Sequence, residues 1–297
     1  IYGWPGHIID ILTVFATLFG LTTSLGLGAQ QINAGLNFLG GTVGAVPSIP
    51  FGTTVQVAVI AGVTAVAVLS VAAGLDGGVR RLSNLNLFLM FLLLGAVIIL
   101  GPTLFIFGMI PQGVGQYLGN FFDLAFYTGA VMEPYFQGSP YYGPGGDGAG
   151  LFLVDWTVFY WAWWIAWSPF VGMFIARISK GRTVREFISG VLILPVLFSV
   201  LWFAALGGSA LSIELSSGAV SAAMFAEGVQ VPRAVALFSM LQQLPGTIIL
   251  SSLSVLLVAT FFITSSDSGS LVIDHLTSGG KHDAPVAMRV FWAVTEG

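Results

Sequence analysis

Six stretches of this chain, at about residues 8–38, 53–75, 85–109, 153–178, 187–207 and 234–265, are each long and apolar enough to cross a lipid bilayer. No soluble fold can bury that many such runs. Over 297 residues, 56% are hydrophobic and only 7% charged, far too few charges to cover a water-facing surface. In lipid every backbone N–H and C=O must be satisfied within the segment, so runs of this length are read as helices. The sequence therefore predicts an all-α integral membrane protein of the cell membrane. Cysteine is absent, which removes disulfide and thiolate chemistry from consideration.

The basic residues set an orientation. Arg80 and Arg81 follow the second run; Arg177, Lys180, Arg182 and Arg185 follow the fourth; Lys281 and Arg289 follow the sixth. If six spans alternate, these fall on one side, and only Arg233 falls on the other. Cytoplasmic loops collect Lys and Arg, so the Ile1 end is predicted to be cytoplasmic. A net charge of −4 gives no support for a nucleic-acid partner. The chain opens at Ile1 without an initiator Met or signal peptide, and Arg289 to Glu296 reads as the start of a seventh span, so a partial chain is expected.

Residues 114–136 mix Phe121, Phe122, Leu124, Phe126 and Tyr127 with Gln116, Asn120, Asp123 and Glu133. That mixture is too polar to span and too apolar for a plain linker, so a helix lying in the outer interface is expected. The Gly/Pro/Tyr run at 138–150 then leads flexibly into the fourth run.

Five of the eight tryptophans fall within that fourth run, at Trp156, Trp161, Trp163, Trp164 and Trp167. At ~100° per residue, Tyr160, Trp163, Trp167, Phe170 and Phe174 lie within about 40° of Trp156, and Trp164 near 80°. One face is thus an aromatic wall. Two readings of it stay open: an interfacial belt or dense packing, in which indoles anchor the helix, and a surface for a quaternary ammonium ion, for which indole is the best aromatic face. A belt accounts for Trp156 and Trp161, whereas the series rises about 16 Å from Trp156 to Trp167, toward the bilayer centre.

The stretch Asp155-Trp-Thr-Val-Phe-Tyr-Trp-Ala-Trp-Trp164, continuing through Trp167-Ser-Pro-Phe-Val-Gly-Met-Phe to Phe187, resembles the betaine–choline–carnitine transporter family. Ser24-Leu-Gly-Leu-Gly28, Arg81-Leu-Ser-Asn-Leu-Asn86 and Phe262-Ile-Thr-Ser-Ser-Asp-Ser268 are similar to it as well, so the resemblance spans nearly the whole chain. It implies a leucine-transporter-like inverted-repeat fold with a substrate site near mid-membrane. On that reading residues 1–111 hold the last three helices of repeat one, 112–150 an interfacial helix and outer loop, and 151–297 the first three helices of repeat two with the start of the next. The two helices that open repeat one, and their share of the binding site, would lie outside the chain.

The resemblance further implies secondary transport of a quaternary-ammonium osmolyte such as glycine betaine, choline or carnitine, with Na+ as coupling ion and no cofactor. Carried over by position, Trp163, Trp164 and Trp167 would contact the trimethylammonium group, Trp156 and Trp161 would line the approach, and Phe170 and Phe174 would continue the face. Thr264, Ser265 and the Phe261 carbonyl match a sodium site. Read from the residues alone, the same hydroxyls equally suit bonds to the preceding turn or a neighbouring helix. A second sodium site would need two threonines a turn apart on the first helix together with Phe170; Thr17 matches, but Leu21 stands at the other position, and Thr22 points about 100° away from it. A homotrimer is implied, with 114–136 as a contact.

The remaining features read as structural. Gly20, Ser24 and Gly28 form a small-residue stripe suited to close helix packing. Asp267 and Asp274 are expected just past the sixth span as ordinary helix-end acids, with Asp267 a candidate gate residue. Pro169 and Pro245 are expected to kink their helices, and His7, His275 and His282 lack metal-ligand spacing. No nucleophile elbow, metal cluster or paired intramembrane carboxylate stands out, so an enzyme is not expected. A membrane enzyme acting on choline-type headgroups and a non-transporting osmolyte receptor remain as rivals from other classes.

Overall fold

The computed structural model describes residues 3–73, 80–126, 153–226, 232–279 and 285–297. These residues are helical almost throughout: α1 (Trp4–Asn37), α2 (Thr53–Ala73), α3 (Arg80–Leu100), α4 (Thr103–Gly119), α5 (Phe121–Ala125), α6 (Tyr160–Ile178), α7 (Val184–Ser217, with π turns at Ser189–Ile193 and Phe203–Gly207), α8 (Ala219–Met224), α9 (Pro232–Gln242), α10 (Thr247–Thr277) and α11 (Val286–Glu296). Six helices are long and apolar enough to cross a membrane, as expected. Among the described residues there is no strand.

Two of the expected runs are divided differently. The third stops at Leu100, because Gly101 and Pro102 break the helix and Thr103 opens α4. The sixth contains a separate α9, then a break at Leu244-Pro245-Gly246, then α10 from Thr247 to Thr277. Pro245 therefore ends a helix rather than kinking one, and Gly246 takes the left-handed conformation, at φ 79°, that reverses the chain. In both places the first residue past the break ties the loose carbonyls down. Thr103 Oγ1 donates to the Ile98 carbonyl at 2.6 Å, and Thr247 Oγ1 donates to the Leu244 carbonyl at 3.0 Å. Such bonds replace the ones that a broken helix leaves unmade. The expected helix over 114–136 is also divided: residues 114–119 belong to α4, Asn120 separates it from α5, and 127–136 lie outside the described residues, as does the run at 138–150.

The centre of the assembly is the pairing of α1 with α10. A Cβ at Gly269 would run into Leu21, one at Gly28 into the ring of Phe262, and one at Gly35 into Val255. Each seven-residue step up α1 matches a seven-residue step down α10, so the helices run antiparallel along a seam that repeats every two turns, the spacing of a left-handed crossing. Glycine on one side of each pair lets the larger side chain of the other enter. α2 completes this layer through Val63 and Ala67, which pack with Leu25, Ile32 and Ile263. A second core joins α3, α8, α9 and α10 around Leu93, Val97, Val220, Leu241 and Leu257.

Side-chain amides of α1 fasten neighbouring segments to this frame. Asn33 is buried, donates to the Pro50 carbonyl at 3.0 Å and accepts from the Gly52 amide at 2.9 Å. Gln31 donates to the Ala234 carbonyl at 3.1 Å, linking α1 to α9.

The seam gives a paired expectation. Gly28→Ala should destabilise the protein by about 1–3 kcal/mol, the usual cost of overpacking, while Gly26→Ala, whose Cβ would meet nothing within 4 Å, should be neutral or slightly stabilising. Thermal unfolding in detergent, followed by the monodisperse fraction, compares the two.

Candidate functional site

The aromatic face of α6 is held by two bonds to α1. Trp163 Nε1 donates to Ser24 Oγ at 3.0 Å, and Trp167 Nε1 donates to the Gly20 carbonyl at 3.0 Å. Ser24 Oγ in turn donates to that same carbonyl at 2.9 Å. An indole N–H that leaves water needs such an acceptor. A Cβ at Gly20 would approach Trp167 Cδ1 to 2.8 Å, so glycine is needed for the ring to reach the backbone. The stripe of Gly20, Ser24 and Gly28 is thus a packing surface, as expected, and two of its members also orient the tryptophans.

Four-residue steps on α1 and α6 run in opposite directions, and this register sets Thr17 level with Phe170. Both are buried, and Thr17 Oγ1 has no hydrogen-bond partner. Leu21, at the position where a second hydroxyl would be needed, packs instead against Gly269 of α10. Thr22 turns back to donate to the Phe19 carbonyl at 3.2 Å.

The rings form two linked groups. Tyr160 stands 6.2 Å from Trp156, 6.2 Å from Trp163 and 6.0 Å from Trp164. Trp167 meets Phe170 edge-on at 5.2 Å, and Phe170 meets Phe174 at 6.2 Å. Trp164 is 57% exposed and offers an open face, whereas Trp163 and Trp167 are partly covered by α1. Trp161, 63% exposed, lies about 160° around the helix from Trp163 and does not join the face. Trp156 sits in a π-helical segment, Leu153–Phe159, so the uniform α-helical register counted from it does not hold at the start of the helix. Its ring is already covered by a cation, since the Arg233 guanidinium of α9 lies 5.6 Å from the ring centroid.

The hydroxyl constellation of α10 is tied to α3. Asn86 Nδ2 donates to Thr264 Oγ1 at 2.9 Å and to the Thr260 carbonyl at 3.1 Å. Thr264 Oγ1 donates to the Phe261 carbonyl at 2.9 Å. Thr264 thus has both its donor and an acceptor engaged, as the hydrogen-bonding reading of these hydroxyls requires. Ser265, half-buried, is its neighbour on the same turn. Asn86 ends a stretch that the sequence marked only through resemblance; a lone buried amide in an apolar helix is the signal that could have singled it out.

Asp267 and Asp274 correct the sequence reading. α10 runs on to Thr277, so both acids lie inside the helix and are buried rather than solvated past its end. Asp274 receives Arg289 of α11 at 3.4 Å. Asp267 Oδ2 accepts from Ser70 Oγ of α2 at 2.6 Å. Glu296 of α11 is buried beside it, its Oε2 accepting from Ser266 and Ser270 at 3.0 Å each. The helices therefore do bring two carboxylates together. Sequence alone gave no such pairing, because the two are 29 residues apart and α11 was read only as an incipient span.

A family model for the betaine/carnitine/choline transporters matches residues 1–297. A glycine betaine transporter of Vibrio parahaemolyticus is 48% identical over 296 residues, covering 100% of this chain and 51% of its own length. A glycine betaine/proline/choline/ectoine transporter of the same organism is 45% identical, with 100% and 48% covered. An ectoine/glycine betaine/proline transporter of Corynebacterium glutamicum is 43% identical, with 100% and 44% covered. The chain spans about half the length of the curated relatives it matches.

Replacing Asn86 by Ala removes the bonds to Thr264 and Thr260. The expected loss is about 1–3 kcal/mol, the cost of unsatisfied buried polar groups, read as a lower unfolding temperature that Asn86→Asp does not restore.

Proposed function

The chain belongs to the betaine/carnitine/choline family of transporters, and on that premise we propose that it forms part of a secondary transporter for quaternary-ammonium osmolytes. Glycine betaine is the leading substrate, since it stands in the names of several relatives, together with choline, proline and ectoine. The carrying observation is the pinned aromatic face. The bonds to Ser24 and Gly20 hold Trp163 and Trp167 by their edges, with Phe159 stacked on Trp163 at 6.4 Å, so that the rings are fixed in place to meet a methylated cation. Trp164 adds an open face beside them. A trimethylammonium group donates no hydrogen bond, so its binding energy comes from such faces and from desolvation, at about 2 kcal/mol or more per well-placed ring.

In this reading Trp156 belongs to the approach, where Arg233 holds its ring until an incoming cation competes for it. Phe170 and Phe174 continue the face inward. Transport proceeds by alternating access between two inverted repeats, the first ending near residue 111 and the second opening near residue 151, with the Ile1 end cytoplasmic and the whole a homotrimer in the cell membrane.

Sodium is the proposed coupling ion, held by Thr264 Oγ1, Ser265 Oγ and the Phe261 carbonyl. Thr17 with Phe170 is a weaker second place: the level register and the unpartnered Thr17 hydroxyl support it, and Leu21 counts against it. Proton coupling or substrate exchange is the second reading, favoured by the Asn86 bond that already occupies Thr264.

Two experiments test the proposal in the native protein. Trp164→Leu and Trp167→Leu should each weaken glycine betaine binding by about thirtyfold or more, the equivalent of one lost ring, while Trp161→Leu leaves it nearly unchanged; equal affinity in all three by tryptophan fluorescence titration would exclude the aromatic site. Thr264→Ala combined with Ser265→Ala should abolish sodium stimulation of uptake in proteoliposomes, and unchanged sodium dependence would favour the second reading.

A further inference from the structure

Asp267 and Glu296 are 0% and 1% exposed, and each carboxylate has one oxygen bonded and one without a partner. Ser70 of α2 serves Asp267 Oδ2, and Ser266 and Ser270 of α10 serve Glu296 Oε2. Asp267 Oδ1 and Glu296 Oε1 remain. Ser266 and Ser270 are one turn apart, and Asp267 directly follows Ser266, so both carboxylates sit at the same turn of α10. α2 closes the other side: a Cβ at Gly297, next to Glu296, would run into Thr64. Three helices thus bring two buried carboxylates and three hydroxyls to the same level of α10.

Among the described residues neither acid has a basic partner, and the Asp274–Arg289 pair lies about 10 Å further along α10. Hydroxyls are neutral and cannot compensate two charges in a medium of low dielectric. Two neighbouring carboxylates with no cation between them would repel. One monovalent cation together with one proton retained by the pair leaves the place neutral and separates the two carboxyls; a small hard cation takes oxygen ligands alone, and the unpartnered oxygens together with the serine lone pairs are of that kind.

We propose that Asp267, Glu296, Ser70, Ser266 and Ser270 form an intramembrane site for one sodium ion, separate from the Thr264–Ser265 pair. Asp267 lies about 3 Å beyond Ser265 along the helix axis. The two sites share α10 but no ligand, so either stands without the other. A sodium ion here joins α2, α10 and α11, and its release loosens their contact.

Binding of radioactive sodium to the purified native protein without substrate tests this. Glu296→Gln and Asp267→Asn should each lose about one bound ion per chain, whereas Thr264→Ala with Ser265→Ala should keep that ion. A full complement of sodium in both acid variants overturns the site. Unchanged sodium binding together with a lost proton uptake in a pH-indicator assay overturns it also, by assigning the pair to a proton. If the acid variants are not recovered folded, Ser266→Ala with Ser270→Ala decides: sodium affinity lower by about tenfold supports the site, and unchanged affinity overturns it.

Discussion

The antiparallel seam between α1 and α10 is the constraint on which the rest of the structure depends. Leu21 enters at Gly269, Phe262 at Gly28 and Val255 at Gly35, so each contact sets a large residue of one helix against a glycine of the other. Between apolar helices in lipid there is little hydrophobic drive to associate, and close fit supplies the attraction instead. Because each side chain sits in a slot in the other helix, the pair has a definite axial register. A slip by one residue would put Phe262 against a Cβ.

That register carries over to the aromatic site. Gly20 and Ser24 lie on α1 within the same two turns as Leu21, so fixing α1 on α10 also fixes where the indoles of Trp163 and Trp167 find their acceptors. Asn86 repeats the arrangement from the other side, joining α3 to the turn of α10 that carries Thr264. Polar groups in this assembly are few, and each one that bonds across helices sets a position as well as satisfying a donor.

Sequence made the spans and the aromatic face legible, since both are written in local density: apolar runs of bilayer length, and five tryptophans in twelve residues, Trp156 to Trp167. It misplaced the breaks at Gly101-Pro102 and Pro245-Gly246, because hydropathy continues smoothly through them while the backbone does not. The misplaced end of the sixth span then put Asp267 and Asp274 in water. Their partners were out of reach of any local pattern: Ser70 lies 197 residues before Asp267, and Ser24 lies 139 residues before Trp163. Small-residue spacing on α1 was readable as a packing stripe, yet nothing in the spacing tells that a glycine carbonyl would accept an indole.

α10 carries both the packing seam and most of the buried polar groups of its neighbourhood. Its seam residues, Val255, Phe262 and Gly269, recur every seven positions and occupy one stripe; Ser266 and Ser270 border that stripe, whereas Thr264, Asp267 and Asp274 lie well around the helix and face α3, α2 and α11. Holding the acids away from the seam lets that side carry carboxyl groups that are buried among α2, α10 and α11. It also means that any event at the polar side that shifts α10 must be taken up at the seam, where the slots resist gradual sliding. An ion bound at the proposed places on that side would therefore act on the contact of α10 with α1, and through Gly20 and Ser24 on the position of the tryptophans.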